Sequence, residues 1–183
     1  KKISTIILVA ILLLINLFSI IGTNNVQAAT LPIDKADLYS KGEVVYFQYD
    51  NIGIGVEVIV YKKDGVEYPA YCINKGKTGV TEEKGYTVNI DSLISNVKIW
   101  RAVINGYPFK SIEELGCETM EEAYAATKMA VYDAMYHYDL DKFTLHDRNQ
   151  EQGKRVVKAI KQIITAARNS KETKPVARVT VDD

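Results

Sequence analysis

The chain has 183 residues, of which 23 are lysine or arginine and 23 aspartate or glutamate, so its formal charge is zero. That balance leaves no basic field to hold nucleic acid. Two cysteines and two histidines with scattered carboxylates show no metal-ligand spacing, so neither a metal nor another cofactor is expected.

At the start of the chain, Lys1 and Lys2 precede the apolar run IILVAILLLINLFSII, and NNVQAAT follows with Val26 and Ala28 at the specificity positions of a small-residue cleavage site. Residues 1–29 therefore read as a secretory signal peptide cut after Ala28 or Ala29. The mature chain is expected outside the cytoplasm, and residues 30–170 suffice for one domain with its own core. All 12 tyrosines lie in this part. Most belong in the core, but a tyrosine also brings rigid contact area and a polar tip to a binding surface.

Strands come first. EVVYFQY (43–49), GVEVIVYKK (55–63) and VEYPAYCI (66–73) alternate or are rich in β-branched and aromatic residues, and Asp64-Gly65 is a strong hairpin turn. Gly53 and Gly55 enter a strand, the reverse of the order a phosphate loop requires, and mark a bulge or tight turn. GYTVNI supplies a fourth strand. The period then changes, with Leu93, Ile94, Val97, Trp100 and Ile104 on one helical face that Asn105-Gly106 terminates. A short helical turn starts at Ser111.

The next helix opens on a capping box, Thr119 with Glu122. Its face of Ala123, Ala126, Thr127, Ala130 and Ala134 admits close approach, and Tyr124, Val131, Met135 and Tyr138 form a bulky face, so the helix is expected to be buried. Lys128 interrupts the bulky face. A buried ammonium must find a partner or lose its proton. A last helix over 151–168 shows one apolar stripe, Val156, Ile160, Ile163, Ile164 and Ala167. Residues 171–175 read as a linker, and 176–183 as the first strand of a further β-rich domain.

YPAYCINKG, IWRAVINGYPFKS, ELGC and AYAATKMAVYDAM, in that order, resemble the thioester domains of Gram-positive surface adhesins, also called TQxA domains. The resemblance spans most of residues 40–168. It implies an α+β fold, a β-sandwich or barrel with an inserted helical bundle, at the tip of a stalk of immunoglobulin-like domains anchored to the cell wall. It also implies an intramolecular thioester, formed when a strand cysteine, here Cys72 after Tyr71, condenses with a helix glutamine and expels ammonia. Such a bond acylates an amine on a host protein. The matching helix segment here is Thr127-Lys128-Met129-Ala130. Neither Lys128 nor Met129 carries a carboxamide, and Gln162 is the one mature glutamine inside an amphipathic helix.

Cys72 thus has several readings: an inert buried thiol, a disulfide with Cys117, a thiol made reactive by Lys128, or half of a thioester. A cysteine hydrolase would need His137 or His146 as base, and neither sits in a hydrolase signature. The expectation is a secreted, monomeric, non-enzymatic adhesion module without the thioester. It would bind a host or other extracellular surface protein and join its own cell wall through downstream domains. The alternative is a covalent adhesin that captures an amine-bearing ligand through a thioester to another glutamine.

Overall fold

The structure is a computed structural model and describes residues 37–76, 80 and 96–173. The leader, the GYTVNI strand, Leu93, Ile94 and the strand at 176–183 lie outside the described residues. Of the expected linker, residues 171–173 are described and carry neither helix nor strand.

In chain order the elements are β1 (Asp37–Tyr49), β2 (Ile52–Lys63), β3 (Val66–Pro69), α1 (Val97–Ile104), α2 (Met120–Tyr136), a 3-10 turn at Leu140–Lys142, β4 (Phe143–Thr144) and α3 (Gln150–Asn169). The fold is α+β, and its sheet is antiparallel throughout, with strand order β3-β2-β1-β4. Among the described residues the strands form one open sheet and not the expected sandwich or barrel.

Two-residue turns set the register. Asp64 and Gly65 both adopt positive φ, 51° and 81°, as the hairpin between β2 and β3 requires. Asp50 and Asn51 do the same between β1 and β2, at 53° and 63°. Gly53 and Gly55 do not form the expected bulge or turn; they pair in register with Gln48 and Tyr46. What they provide is room, since a methyl at Gly55 would stand 3.1 Å from Val44 Cγ1 and one at Gly53 3.1 Å from His146 Nε2. The sheet's irregularity lies instead between Ser40 and Val44 of β1.

Val45, Phe47, Val56, Val58 and Val60 are buried in one core with residues of all three helices. The short α1 turns a different face inward than its sequence pattern indicates: Ile99 and Ala102 are buried, whereas Val97, Trp100 and Ile104 are only partly covered. Helix α2 is buried along most of its length, as expected. Its N-cap hydroxyl on Thr119 accepts the Glu122 N–H at 3.3 Å, and the Glu122 carboxylate accepts the N–H of Glu118 at 2.9 Å. That carboxylate is fully buried and is held by Arg155 of α3, whose Nη2 and Nε reach it at 2.7 and 3.0 Å. A buried charge is tolerable only when paired and hydrogen-bonded in this way. Val156, Ile160, Ile163 and Ile164 of the predicted stripe are buried on α3.

Candidate functional site

Cys72 lies just beyond β3, on a loop and not on the strand that the alternating pattern indicates. The ladder ends two residues earlier, where the Ala70 N–H donates to Ile59 O at 3.0 Å. Two tyrosines then fix the chain. The Tyr124 hydroxyl, from α2, donates to Ala70 O at 2.7 Å, and the Tyr71 hydroxyl donates to Tyr107 O at 2.7 Å. Their rings stack with centroids 4.9 Å apart at 19°. Burial pushes both phenols above their ordinary pKa, so both stay neutral donors. Cys72 is delivered to a fixed place beside α2.

The thiol has defined partners. It donates to Asn74 O at 3.2 Å and its sulfur accepts the Asn74 N–H at 3.4 Å, and the Tyr132 phenol of α2 lies near enough to be perturbed by it. Burial, followed by the neighbouring sulfur, pushes the Tyr132 phenol up to about 12.

A cavity of about 300 Å³ opens here, lined among others by Leu38, Glu57, Ile59, Tyr71, Cys72 and Lys128. Burial lowers the Lys128 pKa from its ordinary 10.5, against the pull of Cys72 and Glu57, which favour the ammonium. Glu57 is itself positioned by the Ser40 hydroxyl, which donates to its Oε1. The arrangement is a thiol, an amine of reduced basicity, a carboxylate and a neutral phenol around one small space.

Residues 69–169 match the family model described as thioester domain, a span that contains both Cys72 and Lys128. The chain belongs to the thioester-domain family. Two solved structures share the fold: the Bacillus anthracis TIE protein, at 22% identity and TM-score 0.61, and the thioester domain of the Enterococcus faecium TIE86 protein, at 20% and 0.61. The alignments take in 77% and 82% of this chain but only 25% and 58% of those chains, so this sequence corresponds to part of each. No curated protein matches it.

Within this thioester domain, one of the two helix positions matched to the family's glutamine lines the same cavity as Cys72. Lys128 shares the cavity with it, whereas Met129, one residue on, is buried in the core. Gln162 is elsewhere: its Nε2 donates to Glu114 O at 3.1 Å, tying α3 to the loop before α2. Gln48 accepts from Thr144 on the β1–β4 edge. Among the described residues, no glutamine lines the Cys72 cavity.

Cys72 and Cys117 are separate free thiols. Cys117 is buried beside its own loop, 3.9 Å from Leu115 O, and burial with the Glu122 charge pushes its pKa up to about 12. His137 caps the C-terminus of α2 in the left-handed region, and His146 accepts the Arg148 N–H through Nδ1 at 3.0 Å. Neither histidine lines the Cys72 cavity.

Glu57 and Tyr132 were not legible as site residues. Tyr132 carried a usable signal, since it stands one helical turn after Lys128 on the same face. Glu57 carried only a weak one, as the carboxylate within the apolar run GVEVIV.

Proposed function

We propose that this domain is an extracellular adhesion module of a cell-wall protein that has given up the Cys-Gln thioester and binds its partner noncovalently. One observation carries this reading: the α2 side chain that lines the cavity with Cys72 is that of Lys128, which has no acyl carbon, and among the described residues no glutamine lines that cavity. A thioester needs a carboxamide to expel ammonia from, and an amine cannot supply one. The binding surface is the apolar groove next to this loop, lined among others by Tyr68, Tyr71, Ile73 and Phe109, of which Tyr68, Ile73 and Phe109 are well exposed. Phe109 meets Trp100 edge to face at 5.9 Å, so its ring is presented in a fixed pose. A rigid aromatic surface suits a protein partner. The module acts as a binder and not as an enzyme, since neither histidine is among the residues lining the thiol's cavity.

Intact mass of residues 30–174 tests this directly. The full mass, unchanged after incubation with methylamine, is expected. Loss of one ammonia, absent in Cys72→Ala, would overturn the reading in favour of a covalent adhesin.

A further inference from the structure

The pairing of Cys72 with Lys128 has chemistry of its own, because a thiol and an amine that share a cavity can be joined once the sulfur is oxidised. We propose that Cys72 and Lys128 form an oxidation-triggered crosslink, a sulfenamide made when a peroxide enters their cavity. The proposal rests on the reading above that Cys72 is a free thiol.

Their placement supports the crosslink. The two residues come from different elements, the loop after β3 and the middle of α2, so the bond would tie sheet to helix. Their cavity, about 300 Å³, exceeds by several-fold the roughly 30 Å³ share of a liquid water, and so admits a peroxide. The Asn74 N–H donates to the sulfur at 3.4 Å. The thiolate is the form that a peroxide oxidises. Burial lowers the Lys128 pKa, which raises the share of neutral, nucleophilic amine. Cys117, the other thiol, is buried and strongly disfavoured as a thiolate, so it is a poor resolving group.

The step balances. The Cys72 thiolate attacks one peroxide oxygen, giving a sulfenic acid and hydroxide, and the hydroxide leaves as water with the thiol's proton. The Lys128 amine then attacks the sulfur and forms the S–N bond. The S–O bond breaks, and its hydroxyl leaves as a second water with one amine proton. Two sulfur electrons are lost and the peroxide gains them.

The test is hydrogen peroxide on the purified domain, read by intact mass and by tryptic mapping under non-reducing conditions. Untreated protein should show full mass; an ammonia deficit at that stage would overturn the function reading itself and is separable from every later outcome. After treatment, loss of two hydrogens is expected, with a peptide joining Cys72 to Lys128 and no tryptic cleavage after Lys128. The loss should persist in Cys117→Ala, vanish in Lys128→Met, and reverse with a thiol reductant. Gain of oxygen alone, or a two-hydrogen loss that survives in Lys128→Met or maps to Cys117, would overturn the proposal. Mapping of the unmutated protein decides the matter even if a variant fails to fold.

Discussion

Gly106 lies hard against Thr127: a methyl built on Gly106 would stand 2.5 Å from Thr127 Cγ2 and 2.6 Å from its Oγ1. The closeness is used. The next residue's amide, on Tyr107, donates to Thr127 Oγ1 at 2.8 Å, and that hydroxyl donates in turn to Ala123 O at 2.8 Å. Thr127 therefore locks the end of α1 onto α2 directly beside Lys128. Tyr107 is also the residue whose carbonyl receives the Tyr71 hydroxyl, so the same junction reaches the loop of Cys72.

Gly106→Ala should accordingly destabilise the domain by roughly 2 kcal/mol, the usual cost of overpacking a site that cannot yield. Thr127→Val keeps the shape but leaves the Tyr107 N–H without its acceptor, for about 1–3 kcal/mol. Urea unfolding of both variants checks this. Near-wild-type midpoints would mean that the α1–α2 junction is more compliant than its packing indicates.

The two cysteines should separate cleanly by reactivity. Cys72 is half-buried on a cavity wall, whereas Cys117 is 7% exposed with its pKa pushed up to about 12. Iodoacetamide near pH 8 is expected to alkylate Cys72 in the folded protein and to reach Cys117 only on unfolding. Peptide mapping of a time course reads the order. Equal rates at both sites would contradict the burial of Cys117.

Much of this was written locally and some of it was not. The α2 cap at Thr119 and the Asp64-Gly65 turn were legible because each is decided by residues within one turn of chain. Asp50-Asn51 escaped, since neither residue is glycine although both take positive φ. Cys72 was read onto a strand because apolar alternation continues through Ala70 and Tyr71. What ends the ladder is the pinning of those residues by Tyr124 and by Tyr107, which are distant in sequence. Helix α1 was misphased because a helix of 8 residues has too few turns to fix its face. Lys128 stood out as a charge on an apolar face, but Glu57 reaches it only through tertiary packing of β2 near α2.

Lys128 makes stability depend on pH in a definite sense. Burial lowers its pKa below the ordinary 10.5, so between the two values the unfolded chain holds a proton that the folded chain lacks. Stability from this group therefore rises with pH through that window, and the cost of the buried ammonium is fully present below it. Lys128→Met removes the cost. The variant should be more stable than the parent at neutral pH, with the gap closing as pH approaches 10.5. Paired denaturation curves at several pH values measure the gap; a constant difference would show that Lys128 is not desolvated in the fold.

Lys128→Gln asks whether the cavity retains the geometry of its family. The substitution removes the charge and places a carboxamide on a shorter stem in the cavity that Cys72 lines. Nothing else at the site needs to move: Tyr124 and Tyr71 still pin the approach to Cys72, and Thr127 still fixes the turn of helix. The thiolate would attack the amide carbon, and ammonia would leave with the thiol's proton. Intact mass should then fall by one ammonia in Lys128→Gln, and methylamine should restore a mass consistent with its addition. The double variant with Cys72→Ala should keep full mass. If Lys128→Gln folds well, as the relief of the buried charge predicts, yet shows full mass and a free thiol, the cavity does not hold sulfur and carboxamide within reach of each other. Cys72 would then be an ordinary thiol on a loop, and the family's chemistry would have been lost in the geometry as well as in the side chain.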